Sequence, residues 1–481
     1  MMKKLVYILP LVATLFFTTA CDEEDYRDPS TIVDNYMSEF RTLLTSSELG
    51  WRLDYSPNEM SYGSFTFMMK FRKDGRVEMQ SDEDFFYLFA TEEEKQKVYG
   101  VQESDYTIQN SQGPVLTFAT YSLLSKLADP ELNETGSGWQ GDNEFVLMGH
   151  SASGDTIFLK SVRAQRRCLL VKNREDWDDY FTKLNKVIND FCNKSVVNNY
   201  FRDIELAGEE PAVMTGFDMT SRMAVIYQYE GEKMYADSCQ LLFTTEGVQL
   251  RRPVRLGHNV IRSFKYNGSP VFLVNGDETS TIQVAEGGRP KMHFKVQGKV
   301  FRGRYEVEQD GVTMEESDLY FINLNPTTSD DEWDELFQSL NNYLYMVLIP
   351  DAEGAYYVDL YDQLTNESGQ SNVVLARCGF THQWANAVNQ NNPEDEIVFR
   401  GVSANNMTFL GTDSETGDYI TGTPLAIKFE SNVKKTYTTY LNSVFGSPMK
   451  RINCVVVPSP DGQEFYFVNK ANGTYLGIMK I

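Results

Sequence analysis

The stretch "SFTFMMKFRKDGRVEMQS", residues 64–81, sets the tightest limit on the fold. Phe65, Phe67, Met69 and Phe71 recur at every second position, which in an extended strand puts all four on one face. Asp74-Gly75 supplies the positive φ angles of a tight turn, and Val77 and Met79 return along a second strand with the same period. A helix would scatter these side chains around its axis, so the segment predicts a hairpin. The carboxy-terminal stretch "NCVVVPSPDGQEFYFVNKANGTYLGIMKI" repeats the logic, with turns at Asp461-Gly462 and Asn472-Gly473 between apolar strands of an antiparallel meander. Trp51, Leu53 and Tyr55 alternate in the same way. With aromatic residues at 13% of the chain, the expected class is mainly β with a few amphipathic helices (α+β). Its antiparallel sheets or meanders fall into two or three β-rich modules, each with a flanking helix.

Four helices interrupt this background. Ser30 or Thr31 caps a segment that places Val33, Tyr36, Met37, Phe40, Leu43 and Leu44 on one face and ends at Gly50. Trp177, Phe181, Leu184, Ile188 and Phe191 recur in helical steps along a second. Ser329 and Glu332 form a capping box ahead of Trp333, Leu336, Phe337 and Leu340. The fourth is built around Tyr437, Tyr440, Leu441 and Val444. "WDDYFTKLN" at 177–185 echoes "WDELFQSLN" at 333–341, and "EFVLMGHSA" at 144–152 echoes "EIVFRGVSA" at 396–404. Such echoes point to an ancient duplication of a β-plus-helix unit, although their unequal offsets do not make a tandem array. Polar residues and glycines cluster at 275–290 as a linker. The expected organisation is a leader at 1–20, an acidic tether at 21–29, a β-rich module with an amino-terminal helix at 30–174, and helix-plus-β modules at 175–327 and 328–481.

The amino terminus reads as an address. Lys3 and Lys4 precede an apolar run from Leu5 to Phe17 and the small residues Thr18, Thr19 and Ala20, the layout of a secretory signal peptide. The run is shorter than the roughly 20 residues that cross a bilayer. Small residues ending at Cys21 resemble the lipobox of bacterial lipoproteins, although Thr18 stands where that family usually has leucine. In the family this cysteine is lipidated and becomes the new amino terminus. Asp22, Glu23, Glu24 and Asp25 follow at once, and such a cluster resembles the export signal of Bacteroidota surface lipoproteins. The resemblance implies an outer-membrane protein, lipid-anchored and facing the cell exterior.

The chain carries a net charge of −24, and −26 once Lys3 and Lys4 leave with the leader. That excludes the electrostatic footprint of a nucleic-acid binder. Cys168, Cys192, Cys239, Cys378 and Cys454 are scattered and form no Cys-x-x-Cys pair, so neither a zinc site nor a disulfide framework is implied. His150, His258, His293 and His382 lie far apart, and no phosphate-cradling loop or calcium hand is present. No metal and no cofactor is expected. "GHSASG", 149–154, approaches the esterase elbow, but Ser153 replaces its last glycine and a strand instead of a helix follows, so a hairpin connection explains it better than a nucleophile at Ser151. Among the tryptophans, Trp51, Trp177 and Trp333 read as core. Trp139 and Trp384 sit among polar and small residues, where an exposed indole stacks on a sugar or a cation, and they are the candidate ligand-binding residues.

"GWRLDY" and "YGSFTFMMKFRKDGRVEM", following the acidic tether and first helix, resemble a family of uncharacterised Bacteroidota lipoproteins with a domain of unknown function. Gly50, Trp51, Gly63, Phe71, Gly75 and Val77 carry the match, "GDNEFVLMG" resembles a later strand of the family, and Ser64 stands where a second glycine is expected. The resemblance covers mainly the first third of the chain. It implies a place beside paired outer-membrane importers, a TonB-dependent transporter and its substrate-binding lipoprotein. The expected function is therefore non-catalytic binding, or an accessory part in uptake of a glycan or peptide nutrient. A surface hydrolase whose site is hidden in the sequence, and a structural or adhesive surface protein, stay open beside it.

Overall fold

The computed structural model describes residues 29–58, 62–89, 91, 93, 99–111, 113–119, 121–132, 138–193, 201–219, 221–230, 233–286, 290–292, 294, 296–309, 311–323, 344–350, 355–362, 374–385, 396–402, 411–412, 419–420, 445–447, 449–459, 463–471 and 475–481. The chain divides into two compact units, up to Lys183 and from Leu184 onward. Three eight-stranded antiparallel barrels dominate.

The first unit opens with α1 (Pro29–Leu44), which starts just ahead of the expected cap. Its barrel is a meander of β1 (Trp51–Tyr55), β2 (Phe65–Phe71), β3 (Arg76–Ser81), β4 (Gln102–Asn110), β5 (Pro114–Phe118), β6 (Glu144–His150), β7 (Thr156–Ser161) and β8 (Arg167–Lys172). The strand β8 returns to pair with β1, Leu53 opposite Leu170, and closes the cylinder. Closure was not legible in the alternation, which predicts strands and faces but not whether the last strand meets the first. An eight-stranded barrel is just wide enough for side chains to fill it. Trp51, Leu53, Tyr55, Phe65, Phe67 and Met69 do so, each at most 1% exposed. A short helix, α2 (Glu83–Phe89), adds Phe85 against Phe65 and Phe67 at ring distances of 5.0 and 4.8 Å. From α1, Phe40 and Leu44 join the same core, and Leu44 accepts the Trp51 indole N–H at 2.8 Å. Tyr36, expected on the apolar face, is 51% exposed. The turn after β2 is wider than expected, with Gly75 alone of the Asp74-Gly75 pair at positive φ.

In the second unit a barrel runs through β9 (Arg202–Glu205), β10 (Ala212–Asp218), β11 (Met223–Glu230), β12 (Lys233–Thr244), β13 (Gly247–Leu256), β14 (Asn259–Lys265), β15 (Phe272–Val274) and β16 (Thr281–Val284). The segment 275–290, expected as a linker, is instead part of this barrel: β16 lies within it and closes the cylinder on β9. The helix α3 (Trp177–Cys192) follows the expected span, and the unit boundary falls inside it. Its last turn brings Phe191 against Phe243, Phe264 and Phe272. Arg202, 2% exposed, donates to the Phe191 carbonyl at 3.3 Å and lies 4.7 Å over the Phe217 ring. A cation at the carbonyl end of a helix meets favourable partial charge. Desolvation still lowers its pKa to about 10.

A hairpin, β17 (Arg304–Gln309) and β18 (Val312–Ser317), precedes the third barrel. That barrel is built from β19 (Tyr320–Asn323), β20 (Leu344–Pro350), β21 (Tyr356–Asp362), β22 (Val374–Trp384), β23 (Glu396–Val402), β26 (Arg451–Pro458), β27 (Glu464–Asn469) and β28 (Tyr475–Lys480), closed by β19 on β28. Between β23 and β26 the short pair β24 (Gly411–Thr412) and β25 (Tyr419–Ile420) stands apart. The interior is filled by Phe301, whose ring stacks on Phe467 at 5.2 Å and meets Tyr356 at 4.7 Å. Phe301 takes φ +53°, a strained conformation for a bulky residue, held by its N–H donating to the Tyr320 hydroxyl at 3.0 Å. Within this unit the second and third barrels share one apolar cluster, and Phe201 touches Tyr466 and Tyr475. That contact explains why "FYFV" in β27 is apolar on consecutive positions: both faces are buried.

The helices expected over 329–340 and around 437–444 lie outside the described residues, as do Cys21, the acids 22–25, Trp333, and the turns at Asp461-Gly462 and Asn472-Gly473. The described cysteines Cys168, Cys192, Cys239 and Cys454 are all buried.

Two consequences can be measured. Gly50, at φ +75°, would place a Cβ 2.4 Å from the Met69 carbonyl oxygen and 3.1 Å from the Trp177 ring. Gly50→Ala should therefore cost at least about 2 kcal/mol in urea unfolding. On β9, Asp203 is 2% exposed and accepts the Lys291 N–H at 2.7 Å through Oδ1, while Oδ2 is buried without a partner. Burial raises its pKa to about 6, against an opposing pull from Lys291. The folded value lies above the unfolded one, so this carboxyl favours folding when protonated. That contribution is complete below about pH 4 and is lost as pH rises through 6. Asp203→Asn should stabilise the protein at pH 8 by about 2–3 kcal/mol and by clearly less at pH 5, read from urea midpoints.

Candidate functional site

The first unit carries a cleft of about 220 Å³ on the outer wall of its barrel, beside the start of α3. Along β2 and β3 the residues facing away from the interior are Met68 and Lys70 opposite Gln80 and Glu78. The α3 helix begins there because Asp176 caps it, its carboxylate accepting the Asp178 N–H at 2.9 Å. Trp177, half-buried, donates its indole N–H to the Leu49 carbonyl at 2.7 Å, which fixes the ring as one wall of the cleft. Glu48, Glu78, Asp176 and Asp178 bring four carboxylates to the rim against the single ammonium of Lys70. Glu78 is also held by Arg72.

Deeper in the wall, Gln80 is 3% exposed, and its Oε1 is buried with no hydrogen-bond partner. The neighbouring Tyr99 hydroxyl meets the Gln80 side chain. Burial, reinforced by Asp82, raises the Tyr99 pKa, so the phenol stays protonated and available as a donor. An orphaned buried acceptor costs about 1–3 kcal/mol and is expected where a ligand or water completes it. The site thus offers a flat apolar ring, carboxylate acceptors and an unmet amide oxygen. That chemistry suits hydroxyl or ammonium donors carried on a compact body. Its volume is below the 300–1,000 Å³ typical of drug-sized sites, so it fits one sugar ring or one peptide side chain at a time.

Trp177 was read in the sequence as core, and its role at the cleft was missed. The signal was present in the acids that flank it at a helix start, "EDWDD". Trp139 is 6% exposed, stacked on Tyr62 at 4.2 Å inside the first barrel's core, so little of its ring is open to a ligand. Trp384 ends strand β22 opposite Ile397 and packs, partly buried, on the third barrel's core. The two rings therefore belong to different barrels.

At "GHSASG" the chain makes the β6–β7 hairpin. The Ser151 hydroxyl accepts the Thr156 N–H at 3.1 Å. His150 turns elsewhere, with Nε2 2.9 Å from Glu39 and Nδ1 2.8 Å from the Ser151 carbonyl oxygen. That carbonyl and Glu39 raise the imidazole's pKa. The pair is a strut between α1 and the hairpin, not a base aimed at a nucleophile. Among the described residues no three His, Cys, Asp or Glu side chains converge as metal ligands, and no helix is long and apolar enough to cross a membrane.

A family model described as a domain of unknown function, DUF4302, matches residues 26–268, just over half of the chain. The chain belongs to the DUF4302 family. The family region takes in the first barrel, the cleft and the second barrel as far as β14, well past the first third that the sequence motifs cover. No curated protein matches this DUF4302 chain. Among solved structures it is similar to a crystal structure of a mutant of the vaccine antigen transferrin-binding protein B from Haemophilus parasuis Hp5, at 8% identity and a TM-score of 0.14. The match covers 88% of this chain and 66% of that one, just under two thirds of its length. At that TM-score the likeness carries no argument.

The hairpin geometry makes one direct prediction. A fluorophosphonate probe should leave Ser151 unlabelled in the folded protein, as judged by mass spectrometry of the labelled peptides. Labelling at Ser151 would show that the His150 strut rearranges into a base.

Proposed function

We propose that this DUF4302 protein is a lipid-anchored component of the outer membrane, facing the cell exterior, that binds a glycan or peptide nutrient without transforming it. It passes that nutrient to an importer, a TonB-dependent transporter with its substrate-binding lipoprotein. The observation that carries the reading is the leader, with Lys3 and Lys4, the apolar run 5–17, the small residues before Cys21 and the acids Asp22 to Asp25. Several acyl chains on the terminal cysteine give a firm anchor, at about 0.8 kcal/mol per buried methylene. The cleft beside Trp177 supplies the binding half. Ring, carboxylates and an unmet amide oxygen hold a unit of a polymer by stacking and donor capture, with an affinity set by how many units engage at once.

The test is direct. Protease added to intact cells should remove the protein, and its mature amino terminus should be an acylated Cys21. Cys21→Ala should release it from the membrane. On arrays of oligosaccharides and peptides the mature chain should retain a ligand that Trp177→Ala binds at least tenfold more weakly, while circular dichroism shows the variant still folded. Protection from external protease together with an unmodified cysteine would overturn the placement. Release of product from any retained ligand would overturn the non-catalytic reading.

A further inference from the structure

We propose that the β17–β18 hairpin is a docking strand-pair that takes up a basic, extended segment of a partner protein along its open edge. This goes beyond the cleft and its ligand, since the hairpin lies in the second unit and shares no residue with the cleft.

The hairpin forms a sheet of its own, with two strands and no further strand paired to either among the described residues. Gln309 faces Val312 across a two-residue connection, so the hydrogen-bonded pairs are 309/312, 307/314 and 305/316. The backbone groups of Glu306 and Glu308 on one edge, and of Thr313 and Glu315 on the other, therefore point outward, free to extend the ladder. Two-stranded hairpins are marginal in water without a third strand or a covering layer. Here one face carries Val307, Val312 and Met314 side by side, with Tyr305 and Glu316 paired at its root, and its outer end stays open: Val312 is 58% and Met314 42% exposed.

Charge says what fits. The segment 304–317 carries Glu306, Glu308, Asp310, Glu315 and Glu316 against Arg304. Glu306 stands directly opposite Glu315, a like-charge pair that weakens a hairpin, and Arg304 reaches Glu315 at 3.2 Å. Acids alone can guard an edge against aggregation, but a guard gains nothing from an exposed Val312–Met314 face. A strand alternating lysine with β-branched residues answers both features, covering the apolar face while neutralising the Glu306–Glu315 pair.

The hairpin is also held still at its root. Asp318, fully buried, receives the Arg302 guanidinium at 2.6 and 3.0 Å and the Tyr320 hydroxyl at 3.0 Å, with Lys480 at 3.2 Å. Arg302 then lies 3.8 Å over the Tyr305 ring. A strand-pair fixed at its base has less freedom to lose when a third strand adds, which is how preorganisation raises affinity.

The mature full-length protein would be titrated, by fluorescence anisotropy, into three labelled nine-residue peptides: alternating Lys and Val, alternating Glu and Val, and the Lys–Val peptide N-methylated at every residue, so that neither of its edges keeps a donor. The Lys–Val peptide should bind saturably and lose affinity as salt rises, whereas the Glu–Val peptide should not bind. Methylation, which removes ladder donors but keeps charge, should weaken binding at least tenfold. Glu306→Lys with Glu315→Lys, and separately Val312→Thr with Met314→Thr, should each weaken it at least tenfold while leaving the ligand of the Trp177 cleft bound. No saturable binding, equal binding of the methylated peptide, or unchanged binding by both hairpin variants would overturn the assignment.

Discussion

The ladder that joins the last strand of each barrel to its first is the constraint on which the described structure rests. Trp51 opposite Lys172, Ile282 opposite Ile204, and Ile322 opposite Ile478 are the closing contacts of the three cylinders. Each closure pairs backbone groups that would otherwise face water as sheet edges. It also fixes the interior width, and that width explains the composition. Eight strands give an interior just wide enough for side chains to fill, and here the aromatic residues that make the strands also make the cores.

Where aromatic side chains pack the first barrel, the cleft lies on the outer wall. That is the wall where α3 starts. The exposed indole edge of Trp177, the rim acids and Gln80 share a surface that the barrel keeps rigid. In the second unit the one described strand-pair long enough to project stands outside the cylinders. The hairpin β17–β18 keeps its edges because no further described strand pairs with either of its strands. The strained Phe301 and the Asp318 network sit at its root, where the chain turns from plugging the third barrel to building the hairpin.

Period-two alternation made β1, β2, β3 and the carboxy-terminal strands legible, because inward and outward residues differ in type along each. Helical spacing made α1 and α3 legible for the same reason. Residues 275–290 misled because polarity and glycine describe a turn-rich strand as well as a linker, and only pairing with β9 separates the two. Trp177 misled because its spacing belongs to the apolar stripe while its height at the helix start leaves one edge open. Trp139 misled in the opposite sense, since small polar neighbours in sequence say nothing of Tyr62 and Phe65, which reach it from another strand and loop.

By itself the sequence determined the antiparallel β class, the two described long helices and the strong negative charge. Each of these is written in neighbouring residues, as period, cap or count. Only the tertiary structure decided that the meanders close, that the described aromatic residues pack inside them, and where the cleft and the two-stranded hairpin lie. Those outcomes depend on which distant strands meet and on what space remains between side chains once they do, and local pattern carries neither.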